Sequence, residues 1–148
     1  MIILVINCGS SSIKYQLLDM KNDDVYDVLA KGLVEKIGLE TGCLQHTATG
    51  KDKYVIDLPI PDHKVGMKLV LDALTDADHG VLKSLDDIEA VGHRIVHGGE
   101  YFSSSALVNE DVMKKIEICC DFAPLHNPAH LLGIRAVQAV LPSVPQVV

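Results

Sequence analysis

The sequence predicts an α/β domain built on a mixed sheet with flanking helices, and three observations carry that expectation. Extended segments come first and nearly back to back, helical periodicity appears only after Pro59-Ile-Pro61, and β character returns at Ile88–Val96. Strands that come early and adjacent predict antiparallel or mixed pairing.

The first strand is Ile2–Ile6, a β-branched apolar run of the kind buried on both faces. Ser12–Leu18 makes the second strand and Val25–Val34 the third, ending at Gly38. Gly42–Thr49 and Lys53–Leu58 flank Gly50 as a hairpin, with Gly50 supplying the turn. The prolines at 59 and 61 stop that strand, and Asp62 caps a helix in which Val65, Leu69, Val70, Ala73 and Leu74 recur at helical spacing. Gly80 closes the element or its loop. Ile88–Val96 is the next strand and runs into His97-Gly-Gly99. A second helix starts at Asn109, with acidic Glu110 and Asp111 in its first turn and Val112, Met113, Ile116 and Cys119 or Cys120 on one face. A third starts with Asn127 as cap and Pro128 at its first position, continues through Leu131, Ile134, Arg135, Val137 and Val140, and ends at Pro142. Pro145–Val148 reads as a strand just beginning, so the expectation is a fragment cut at an internal position.

A length of 148 residues suits one domain with a real core. With 48% hydrophobic residues but two Phe, four Tyr and no Trp, that core must be aliphatic. A net charge of −7 argues against a nucleic-acid or anionic-membrane surface, leaving small molecules or protein as partners. No basic segment precedes the first apolar run, which is too short for a signal peptide or membrane span, and a cytoplasmic protein is expected. The four cysteines, Cys8, Cys43, Cys119 and Cys120, lack metal-ligand or redox spacing and suit reduced, buried thiols.

Three stretches can do chemistry. Asn7-Cys-Gly-Ser-Ser-Ser12 joins the first two strands, and its small side chains leave backbone N–H groups accessible, while Gly9 permits tight-turn angles. Ser10, Ser11 and Ser12 add hydroxyls and Lys14 a fixed positive charge, a set suited to a phosphate. An ordinary Ser-rich hairpin is the alternative, and no Walker pattern is present.

In Val91-Gly-His-Arg-Ile-Val-His-Gly-Gly-Glu100, alternation puts Val91, His93, Ile95 and His97 on one face and Arg94 and Val96, with Gly92 and Gly98, on the other. An uncrowded guanidinium beside a valine can hold a small carboxylate or phosphate and touch a short alkyl tail; a salt bridge at a strand end is the alternative. Satisfied structural histidines suit His93 and His97 better than zinc, because the helical H-E-x-x-H pattern is absent. In Phe122-Ala-Pro-Leu-His-Asn-Pro128, two prolines restrict His126, which can stabilise charge on a transferring phosphoryl group or, with Asn127, only cap the next helix.

Together, Asn7-Cys-Gly-Ser-Ser-Ser-Ile-Lys14, Gly92-His-Arg-Ile-Val-His-Gly-Gly-Glu100 and Ala123-Pro-Leu-His-Asn-Pro128 resemble the acetate kinase family, part of the acetate and sugar kinase, heat-shock chaperone and actin superfamily. The resemblance implies a ribonuclease H-like (actin-like ATPase) domain with a mixed five-stranded sheet and flanking helices. It covers residues 1–148 as the first, incomplete domain of two, without the family's catalytic aspartate. It further implies reversible, ATP-dependent phosphorylation of acetate to acetyl phosphate with Mg²⁺, in a homodimer when full length. Residue by residue, Asn7 resembles the magnesium-site asparagine, Lys14 the nucleotide-phosphate lysine, and Ser10 and Ser12 the lining of the phosphate loop. Arg94 resembles the substrate-carboxylate arginine, Val96 and Leu125 the walls of a methyl pocket, and His126 a catalytic histidine acting on conformation or the transition state. Propionate or butyrate kinase is the near alternative, and a non-enzymatic nucleotide-binding module of the same superfamily the distant one.

Overall fold

Alternation along each strand decides what the sheet buries. In Ile2–Cys8 (β1), Leu4, Ile6 and Cys8 are buried, and in Ile13–Met20 (β2) so are Ile13, Tyr15 and Leu17, while Lys14 and Gln16 stay exposed. The computed structural model describes residues 1–22, 25–94, 107–118 and 127–148. Within them, β1 and β2 are followed by Tyr26–Glu35 (β3), Gly42–Ala48 (β4) and Tyr54–Leu58 (β5), an antiparallel meander. The chain then crosses through helix His63–Thr75 (α1) to Ala90–His93 (β6), which pairs parallel to β1, and Gln146–Val147 (β7) pairs parallel to β6. The sheet order is β5-β4-β3-β2-β1-β6-β7.

The α/β class with a mixed sheet matches expectation; the strand count does not, because the sheet has seven strands rather than five. The Gly42–Leu58 hairpin does not stand apart: β4 pairs along β3 from Glu35↔Cys43 to Ala30↔Ala48. A buried strand edge leaves unpaired backbone groups, and this pairing satisfies them.

Two helices cover one face. Asp62 caps α1 as its sequence suggests, its Oδ1 accepting from the Val65 N–H at 2.9 Å, and Met67, Val70, Leu71 and Leu74 turn toward the sheet. Asn127–Val140 (α3) lies beside α1 over β1 and β6, burying Ile134 and Val137. Glu110–Ile118 (α2), capped by Asn109 Oδ1 on the Val112 N–H, packs Val112, Met113 and Ile116 against Ile134. The core is aliphatic as expected, with Tyr15 its one aromatic among the described residues. Tyr15 lies across Gly32 and its hydroxyl donates to His46 Nδ1 at 2.5 Å, while Nε2 of the same ring donates to the His79 carbonyl at 3.1 Å. Burial holds His46 below the ordinary imidazole pKa.

Two local features differ from the sequence reading beyond a residue or two at strand ends. β6 begins at Ala90 rather than Ile88, because Ser84 and Asp87 form a reciprocal cap on a 3-10 turn at Leu85–Asp87, and the Ile88 N–H is used on the Leu85 carbonyl. Gly50 has φ +82, the left-handed turn value expected of it; Gly9 does not share that conformation. A Cβ at Gly9 would lie 2.6 Å from Ser12 Oγ, with nothing else closer than 3.9 Å, so a side chain there would require only that the serine hydroxyl rotate away.

Candidate functional site

The parallel strands β1, β6 and β7 end on the same side of the sheet, which in open α/β sheets is where ligands sit. The Gly9–Ser12 turn lies at that edge, between the Cys8↔Ile13 pair. It is closed by a Gly9 N–H bond to the Ser12 carbonyl at 2.9 Å and held from outside at two points. Nε2 of His63, the buried first residue of α1, donates to the Gly9 carbonyl at 2.8 Å, and the Ile37 N–H donates to the Ser11 carbonyl at 3.0 Å. With those carbonyls occupied, the N–H groups of Ser10 and Ser11 have no protein acceptor among the described residues. Their hydroxyls sit at an exposed rim, so the turn presents donors outward to an anion.

Register then aligns the charged groups. Asn7 pairs with Lys14 across the hairpin, and Arg94 follows the Ile6↔His93 pair, donating its N–H to the Ile6 carbonyl at 3.0 Å. Lys14, Asn7 and Arg94 therefore form one row across three adjacent strands, on the face opposite α1 and α3, with the two outer backbones roughly 10 Å apart. Lys14 and Arg94 are exposed and Asn7 half-buried, and none of the three side chains has a partner among the described residues. Among the described residues Arg94 forms no strand-end salt bridge, and a Cβ added at Gly92 would meet nothing within 4 Å.

His93 points to the other face and is buried there, its Nε2 2.5 Å from Oε1 of Gln146 on β7. Burial pushes its pKa down to about 4, and His130 on α3 contributes to the lowering. This neutral, hydrogen-bonded ring is a structural histidine that joins β6 to β7. Cys8 is likewise structural: burial pushes its thiol up to about 12. Val96, Leu125, His126 and His97 lie outside the described residues, as do Cys119 and Cys120.

For a magnesium ion, Asn7 offers one oxygen, and the described residues contain no cluster of three His, Cys, Asp or Glu. That donor set fits a cation held mainly by substrate phosphates and water rather than by a protein cage. Sequence reasoning missed His63 and Gln146. Their partners are 54 and 53 residues away, and no local spacing marks either one.

The sequence profile of the acetokinase family matches residues 2–148. Acetate kinase 2 of Clostridium perfringens is 58% identical over 146 residues, which is 99% of this chain and 36% of that protein. Acetate kinase of Clostridium acetobutylicum is 57% identical over 144 residues, covering 97% and 35%. Among solved structures, Porphyromonas gingivalis acetate kinase superposes with a TM-score of 0.94 at 46% identity, over 99% of this chain and 36% of that one. A propionate kinase from Francisella tularensis gives 0.85 at 42% identity, over 99% and 35%. The chain thus spans about 36% of the length of the relatives it matches.

Proposed function

This chain belongs to the acetokinase family, and on that premise we propose that it is the N-terminal, anion-handling portion of an enzyme that reversibly phosphorylates acetate from ATP to acetyl phosphate. The observation that carries the reading is the Lys14–Asn7–Arg94 row beside the Gly9–Ser12 turn. In it, Ser10, Ser12 and Lys14 hold the nucleotide phosphates, and Arg94 holds the acid's carboxylate through paired N–H donors. Val96 and Leu125 wall the methyl pocket and His126 acts at the transferring phosphoryl group.

A short-chain acid has a carboxyl pKa of about 4 to 5 and is ionised at neutral pH, so its oxygen attacks the γ-phosphoryl without a base. What the protein must do is hold two anions in line and offset their repulsion. Mg²⁺ when bound supplies charge neutralisation at the phosphates, and Asn7 is the residue here that would hold it.

Because the chain covers about 36% of its relatives, the reading includes further groups from the rest of a family-length polypeptide, with negligible turnover by the 148-residue chain alone. It also includes a homodimer at full length and a cytoplasmic setting. Among the described residues, no helix is long and apolar enough to cross a membrane.

A second reading, propionate as the preferred acid, is favoured by the likeness to the propionate kinase. One methylene is worth only about 1–3 kcal/mol, so the two activities differ in pocket size and not in mechanism. The test is Arg94→Ala in the complete enzyme, assayed with acetate, propionate and butyrate. KM for the preferred acid should rise about tenfold to a hundredfold with KM for ATP little changed. An unchanged KM for all three acids would favour a nucleotide-binding module instead.

A further inference from the structure

The face of the sheet opposite the helices carries a trough that the proposed reaction meets only at Lys14, at one end. Two adjoining concavities of about 270 and 290 Å³ share Gln16, Lys31 and Thr47. The first is also lined by Lys14, Lys53 and Gln45. Three strands build it: Gln16 pairs with Lys31 and Lys31 with Thr47 across β2, β3 and β4, so the three side chains stand in one row. Lys14 stands one row toward the Gly9–Ser12 turn, and Lys53 lies just before β5.

The charge pattern is unusual for this protein. The chain carries a net charge of −7, yet among the described residues the trough is lined by three lysines and no carboxylate. None of the three has an ion pair or hydrogen-bond partner among the described residues. Glu35 on the same face accepts from Gln45 Nε2 at 3.1 Å, and neither it nor Asp57, which stands in the same row on β5, lines either concavity. Like charges held together without counter-ions repel one another, and a compact polyanion relieves that repulsion. Amide and hydroxyl groups between the lysines supply the donors that phosphate oxygens accept from.

We propose that the open face of β2–β4 is a second anion site, taking an oligophosphate through Lys31 and Lys53 with Lys14 at its near end. The site shares only Lys14 with the acetate-kinase reading; Lys31 and Lys53, which carry it, have no role in that reaction.

The test is a titration of tripolyphosphate, and separately of ATP, into the 148-residue chain, followed by backbone amide NMR shifts. Saturable shifts are expected at Gln16, Lys31, Thr47 and Lys53, weakening with added salt. Affinity should fall about tenfold or more in Lys31→Glu/Lys53→Glu, and less in Lys31→Gln/Lys53→Gln, which spares the fold a charge reversal. Equal affinity for both ligands identifies free oligophosphate as the ligand. Tighter ATP binding with the same shifted residues identifies a nucleotide. Shifts confined to Gly9–Lys14, or equal shifts at the helix lysines Lys64 and Lys68, would overturn the site. Loss of the Gly9–Lys14 shifts alone would count against the catalytic reading and not against this one.

Discussion

The imidazole of His63 donates a 2.8 Å hydrogen bond to the carbonyl of Gly9, so the first turn of α1 holds the serine turn between β1 and β2. The bond fixes the direction of the Gly9 carbonyl, while the Ser10 and Ser11 N–H groups have no protein acceptor among the described residues. His63→Ala removes the donor and leaves the Gly9 carbonyl with a lost bond, at a cost of about 1–2 kcal/mol in stability. In the complete enzyme, KM for ATP should rise severalfold with KM for acetate unchanged. Urea denaturation and initial-rate kinetics check the two parts, and equal changes in both KM values would show that the bond has no selective bearing on the turn.

Gly32 is the floor on which Tyr15 rests. A Cβ there would run into the Tyr15 ring and hydroxyl and approach the Gln45 carbonyl to 2.5 Å, and none of these can yield easily. Gly32→Ala should cost about 3 kcal/mol or lose the fold outright. Gly92→Ala, with nothing within 4 Å of its new carbon, should stay within about 1 kcal/mol of the parent. Paired thermal unfolding curves measure the contrast.

Helix α3 meets β1 at a similarly close point, since a Cβ on Gly133 would sit 2.5 Å from Cys8 Sγ. Gly133→Ala is expected to destabilise by about 1–3 kcal/mol, and Cys8→Ala in the same chain should recover part of that loss by vacating the space. A double-mutant cycle with no coupling would mean that the contact relaxes without cost.

His93 ties stability to acidity. Its folded pKa of about 4 lies below the ordinary 6.5, so the unfolded chain takes up the proton first as pH falls. The stabilisation is complete above pH 6.5 and declines between 6.5 and 4, by about 3 kcal/mol in all. Urea unfolding at pH 7.5 and 4.5 should show this drop, with a smaller drop in His93→Gln. An identical pH dependence in the variant would assign the acid sensitivity elsewhere, His46 included, whose lowered pKa acts in the same direction.

Much of the fold was legible because local rules and tertiary structure agree. Asp62 and Asn109 accept from the N–H groups three residues on, as caps must, and Gly50 turns with a positive φ. Val91 and His93 are buried while Arg94 is exposed, as strict alternation requires. What escaped was non-local. The edge of β3 drew the Gly42–Leu58 hairpin into one seven-stranded sheet, and Gly9 closes its turn on the Ser12 carbonyl without a positive φ.

The same division runs through the candidate site. The sequence by itself determined the residue types, a serine turn, a lysine just past it and an arginine between glycines, because those chemistries belong to anion binding wherever they sit. Only the tertiary structure decided that Lys14, Asn7 and Arg94 stand in one row and that His63 secures the turn. Strand register and helix docking are set by burying Leu4, Ile6, Tyr15 and Met67 together, and that packing joins residues more than fifty positions apart, which no local pattern encodes.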